Sequence, residues 1–202
     1  MFNEEFTAAS KGAAAKSALL KKNPAGYFLL SMLAGAYIGF GILLVFTLSG
    51  ALAGAPYTKL VMGCCFGVAL SLVVIAGAEL FTGNNLVMTA GLLRKTVTVA
   101  DALKLWGVCW LGNLAGSALL ALVFSLTGLY SDATLGAMTG AAAAKMTAGF
   151  IPLLTRGMLC NTLVCLAVWC GFRAKSDSGK LLMVFWCLLA FFATGFEHSI
   201  AN

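Results

Sequence analysis

The chain has 202 residues, 61% of them hydrophobic and only 10% charged, with a mean hydropathy of +0.97. So little polar side chain cannot cover a water-facing globule, which excludes a soluble domain and makes the chain an integral membrane protein. The net charge of +6 does not mark a nucleic-acid binder, because the basic residues are scattered between apolar runs with no aromatic-interleaved patch.

The first 24 residues are no signal peptide, since Lys11, Lys16, Lys21 and Lys22 break up any apolar core. Phe2, Phe6, Ala9, Ala13 and Leu20 recur at helical spacing opposite these lysines. Residues 1–24 therefore read as an amphipathic helix lying on the inner membrane surface, with a solvated basic tail as the alternative.

Residues 25–202 read as one transmembrane transport domain. Apolar runs near bilayer-spanning length begin at about Ala25, Leu60, Leu105, Ile151 and Leu181. Lys11, Lys16, Lys21 and Lys22 precede the first run. Arg94, Lys95 and Lys104 lie between the second and third, and Arg173, Lys175 and Lys180 between the fourth and fifth. These make 10 of the 13 basic residues, on alternate connections. The positive-inside rule then places the N-terminus in the cytoplasm of a multi-pass protein of the cell (inner) membrane.

The second run, Leu60 to Leu93, is 34 residues long. As one helix it would measure about 51 Å against a hydrocarbon core of about 30 Å. It also holds the polar patch AGAELFTGNN, Ala76 to Asn85, flanked by Gly77 and Gly83. Two half-helices joined by a short non-helical turn accommodate both facts, and the freed backbone must then line an interior cavity rather than face lipid. Glu79, Asn84 and Asn85 become inward-facing, Glu79 either as a packing residue bonded to backbone amides or as a contact for substrate.

The fifth run ends in the same pattern. Gly77-Ala-Glu79-Leu-Phe-Thr-Gly-Asn84 and Gly195-Phe-Glu197-His-Ser-Ile-Ala-Asn202 share G-x-E-x-x-x-x-N with identical spacing. Interrupted helices in corresponding positions of two halves point to an inverted-repeat transporter with its site at the midplane, where the breaks meet. The first half continues well beyond Asn84 and the second has nothing after Asn202, so the C-terminal part of the second repeat is expected to be missing from a six-helix protein.

Seven cysteines raise a metal or redox alternative, yet no C-x-x-C occurs and there is one histidine. Cys160, Cys165 and Cys170 are five apart, a rotation of roughly 140° per step on a helix, so they point in different directions. They read as small buried apolar residues. No cofactor or metal is expected.

AGAELFTGNN in a broken second helix, GNLAGS at 112–117, RGMLCNTLVCLAVW at 156–169 and TGFEHSIAN at 194–202 together resemble the formate/nitrite transporter family. The resemblance covers essentially the whole chain. It implies an all-α, aquaporin-like fold without water-channel function, with helices two and five broken, five protomers in a ring, and a pore for a small monovalent anion in each. Carried over by position, Thr82 and His198 face each other at the pore centre with Asn161 nearby. Leu70 and Leu80 form the constriction toward the cytoplasm, and Phe66 and Phe191 the one toward the outside. Lys145 draws anions into the outer vestibule, and Glu79 and Glu197, with Asn84 and Asn202 in the same motif, anchor the loops. Formate channels of the family commonly carry serine after the threonine; FTGNN here favours nitrite or hydrosulfide.

Elementary chemistry supports these roles unevenly. An ionisable residue within a span is costly and marks a pathway by default, which singles out His198 as a candidate proton relay to a weak-acid anion. Thr82 stands out only by its place in the break. Lys145 either draws anions or merely snorkels to the headgroups. The chain is expected to be no enzyme. A neutral-solute channel of aquaporin type is the competing reading, against which stand three prolines, none beside a break.

Overall fold

The computed structural model describes residues 2–201, which form eight α-helices and no strand. Asn202, the asparagine of the second motif copy, lies outside the described residues. Five helical segments are long and apolar enough to span a bilayer: Pro24–Ala51, Thr58–Gly77, Val99–Thr127, Phe150–Arg173 and Asp177–Thr194.

Helix α1 (Asn3–Lys22) ends at Asn23, whose side chain accepts from Gly26 N–H at 2.9 Å and so caps the next helix, α2 (Pro24–Ala51). Pro24 fits there because the first helical position needs no amide donor. The buried stripe of α1 is Ala9, Ser10, Ala13, Ser17 and Leu20, and it packs mainly on α4. The face expected to meet lipid is thus turned largely toward protein. Arg94 reaches Asn3 and lies over the Phe6 ring, while Arg173 lies 4.6 Å from the Phe2 centroid, so two arginines hold the helix down.

The second run breaks as its length requires. Helix α3 (Thr58–Leu72) widens into a π-helical turn, Val73–Gly77, then Ala78 to Leu80 run extended before α4 (Phe81–Leu93). Gly77 takes φ +80°, a left-handed conformation open to glycine at little cost. Gly83 is not part of the break; it lies within α4, where an added Cβ would sit 3.4 Å from Val168 on the fourth span.

Helix α5 (Val99–Thr127) starts in a Thr98/Asp101 capping box and runs parallel to α2, with Asn113 bonded to Ser31 and Ser117 to Gly35. Their backbones touch at glycines. A Cβ at Gly35 would run into the carbonyl of Asn113, and one at Gly116 into the carbonyl of Met32. Small residues at such contacts allow the close approach that holds helices together in lipid.

Helix α6 (Asp132–Thr147) was not anticipated as a separate element. Ser131 caps it, accepting from Thr134 N–H at 3.2 Å, and alanines fill its interior, so helix propensity builds it without a long apolar run. Helices α7 (Phe150–Arg173) and α8 (Asp177–Thr194) follow. Gly195 then takes φ +81°, nearly the value at Gly77, and ends α8 before the stretch bearing Glu197 and His198. Two apolar clusters hold the molecule together. One is centred on Phe66, Leu70, Val164, Leu188 and Phe191, the other on Tyr27, Met88, Leu105 and Cys109.

Candidate functional site

The two breaks bring together residues far apart in sequence. Thr82 Oγ1 lies 3.2 Å from His198 Nε2, and both residues are buried. The other ring nitrogen, Nδ1, accepts from the backbone N–H groups of Ile200 at 3.2 Å and Ala201 at 3.1 Å. An Nδ1 that accepts twice carries no proton, so the neutral ring holds its hydrogen on Nε2 and donates it to Thr82. Phe191 stacks on the imidazole with centroids 5.8 Å apart.

Phe66, Leu70, Leu80 and Phe191 are buried in one apolar layer, with Phe191 against the imidazole. Phe66 and Leu70 sit one turn apart on α3. Phe191 meets Phe66 edge-on at 5.8 Å, and Leu80 ends the extended stretch before α4. Cavities lie along α3 on each side of the layer. One, of about 190 Å³, is lined by Met62, Phe66, Phe191, His198, Glu197 and Lys145. The other, of about 400 Å³, is lined by Leu70, Val73, Leu80, Asn84, Lys180 and Lys16. The expected phenylalanine pair therefore borders the Lys145 side, and the expected leucine pair the Lys16 side.

Each break is anchored by a carboxylate paired with lysine. Glu79 Oε1 meets Lys16 Nζ at 2.5 Å, while its Oε2 accepts from Tyr27 Oη at 3.1 Å and Asn84 Nδ2 at 2.9 Å. Glu197 meets Lys145 at 3.4 Å and Arg156 at 3.9 Å. A carboxylate in a membrane interior needs such company, since stripping its hydration costs several kcal/mol. The partners of the Glu79 carboxylate are the side chains of Lys16, Tyr27 and Asn84, rather than the backbone amides expected for a packing role.

Lys16 escaped the sequence reading, which placed all the N-terminal lysines on the wet face of their helix. A signal existed: Gly12-Ala-Ala-Ala-Lys16 and Gly140-Ala-Ala-Ala-Ala-Lys145 are near copies. Asn113 was noticed only within GNLAGS, yet it bonds to the break itself. Asn161 is not in hydrogen-bond contact with the Thr82–His198 pair. It accepts from Asn85 at 3.2 Å, donates to Cys165 Sγ at 3.3 Å, and borders a separate cavity of about 710 Å³ with Ser199 and Trp169. Among the described residues no group of three or more His, Cys, Asp or Glu is placed to hold a metal ion.

Comparison with known proteins matches this arrangement. The sequence profile described as formate/nitrite transporter covers residues 3–202. The nitrite transporter NirC of Salmonella typhimurium is 43% identical over the whole of this chain, which spans 75% of that protein's length. A solved structure described as an FNT family ion channel superposes with a TM-score of 0.94 at 42% identity, covering all of this chain and 80% of that one. A pentameric formate channel with formate bound gives 0.80 at 32% identity, covering 90% of this chain and 73% of the other. The multi-pass helical architecture and the meeting of two broken helices are thus shared with channels, and this chain belongs to the formate/nitrite transporter family, whose members are transporters and channels rather than enzymes.

Proposed function

We propose that the chain forms a pore for small monovalent weak-acid anions, with nitrite preferred over formate and hydrosulfide, in a ring of five protomers. The carrying observation is the Thr82–His198 pair, where hydrogen-bond donors from both breaks converge inside an apolar layer between two cavities. An anion entering the layer loses hydration worth several kcal/mol. The imidazole Nε2–H, the Thr82 hydroxyl and the N-terminal end of α4 offset that loss with positive potential. Lys145 and Arg156 together outweigh the single charge of Glu197, and the surplus raises the local anion concentration on that side.

The preference for nitrite is supported by the 43% identity to a nitrite transporter, against 37% to a probable formate transporter, and FTGNN after the break weighs against formate. The five-fold ring follows the pentameric neighbour, and exposed apolar side chains such as Leu111, Leu114 and Leu122 on α5 suit lipid or a neighbouring protomer. Residues 1–24 serve as an amphipathic helix over the inner mouth and 25–202 as the transport domain, with the N-terminus cytoplasmic in the cell (inner) membrane. His198 relays protons to weak-acid anions. Its resting form is the neutral Nε2–H tautomer, so a relay cycle must release the amides of Ile200 and Ala201 before the ring carries a second proton.

The test is flux into liposomes holding the purified protein, with nitrite, formate, hydrosulfide and glycerol offered separately. Nitrite moving fastest, with no glycerol uptake, supports the reading. Glycerol uptake without anion current would replace it by a neutral-solute channel.

A further inference from the structure

Breaking a helix inside a bilayer frees backbone groups that water cannot reach, and each needs a partner in the protein. At the first break Ala78 N–H donates to Val73 O at 3.2 Å, and Glu79 N–H to Leu30 O at 3.1 Å. Two of the groups that follow, Glu79 C=O and Phe81 N–H, share one partner. The Asn113 carboxamide on α5 donates from Nδ2 to Glu79 O at 2.8 Å and accepts at Oδ1 from Phe81 N–H at 2.9 Å. Its second Nδ2 hydrogen goes to Ser31 O on α2, at 2.7 Å. Cys109 Sγ adds a weaker bond to Glu79 O at 3.2 Å.

The sequence explains why this side chain reaches. Gly112 and Gly116 on α5 and Gly35 on α2 leave no Cβ where one would run into the facing helix. Asn113 is thereby wedged against Ser31 with no exposed surface. Closing both ends of the break takes a donor and an acceptor on one short planar group. Aspartate has no donor, serine is too short to span the two sites, and leucine has neither function.

The carboxamide fixes the peptide groups on both sides of Leu80, and so the direction in which α4 starts. Thr82 is the residue after Phe81. We propose that Asn113 is a positioning residue of the central layer: by clamping Glu79 C=O and Phe81 N–H together, it holds Thr82 Oγ1 opposite His198 Nε2. The functional half of this inference rests on the reading of that pair as the pore centre.

His198 is the chain's one histidine, so ¹⁵N-histidine labelling reports on it alone. In Asn113→Ser and Asn113→Asp the Nε2 resonance is expected to move by more than its linewidth as Thr82 leaves its place. Nitrite flux through Asn113→Ser should fall about tenfold, the scale of one lost positioning hydrogen bond. Adding Thr82→Val to Asn113→Ser should then cost nothing further, because both changes act through the same hydroxyl. A wild-type resonance in both Asn113 variants, or full additivity of the two substitutions, overturns the proposal. Thr82→Val alone with unchanged flux would instead overturn the pore-centre reading, and the resonance would still report on Asn113. Should neither Asn113 variant assemble, the wild-type protein decides by amide exchange. With the clamp closed, Phe81 N–H exchanges about a hundredfold more slowly than Gly83 N–H in the same first turn; equal rates overturn it.

Discussion

The hydroxyl of Thr82 and the Nε2 of His198, 116 residues apart in sequence, stand 3.2 Å apart where the two helix breaks meet. With Nδ1 held by two backbone amides, His198 donates and Thr82 accepts, which leaves the threonine hydrogen for whatever occupies the layer. Thr82→Val keeps the volume and removes both functions. Nitrite flux in liposomes should fall about tenfold, the effect of one hydrogen bond of ordinary strength, with assembly unchanged by size-exclusion chromatography. Wild-type flux would reduce Thr82 to a structural residue.

His198→Asn tests the relay. Asparagine keeps hydrogen bonding but cannot titrate, so weak-acid anions should lose their advantage at acid pH while a strong-acid anion permeates no worse. The measurement is flux of one anion of each kind between about pH 5 and 8, a window spanning the ordinary histidine range. Parallel profiles for both anions in both proteins would leave the imidazole a hydrogen-bonding group only.

The Lys16–Glu79 pair ties α1 to the first break, with side-chain exposures of 25% and 11% that put most of both groups out of water. Removing one partner strands the other. Glu79→Gln should lower stability by about 3 kcal/mol, and Lys16→Met by a similar amount. The double variant should lose at least about 1 kcal/mol less than the sum, because neither charge is then left alone. Strict additivity in thermal unfolding would show that the two side chains do not support one another.

Lys145 shares Glu197 with Arg156, so its removal leaves the carboxylate a single, more distant base. Lys145→Ala should slow nitrite uptake several-fold at about 0.01 M salt and hardly at all near 1 M, where the Debye length shrinks to about 3 Å. Equal slowing at both ionic strengths would mean that the lysine acts through local structure.

The spans and the first break were legible because hydropathy and helix rise are properties of the chain itself: a largely apolar run of 34 residues exceeds a bilayer whatever surrounds it. The matched glycines were legible too, since Gly77 and Gly195 both take left-handed φ two residues before a glutamate. Helix α6 was hidden because alanine and glycine give it little hydropathy. Lys16 was hidden because one-helix periodicity cannot show that a lysine on a polar face will find a carboxylate 63 residues onward. Asn113 was hidden for a related reason: its task is set by the backbone of another segment, and a side chain that serves a distant carbonyl leaves no local pattern. That Thr82 faces His198 came from family resemblance, with the repeated motif supplying only the hint that the two regions correspond.

In both halves the base is written into the chain before the acid: Lys16 comes 63 residues ahead of Glu79, and Lys145 likewise precedes Glu197. A ribosome reading this message delivers each ammonium group to the membrane first. By the time a glutamate emerges, its counter-ion is already on the growing polypeptide, so neither carboxylate has to be threaded into lipid unaccompanied.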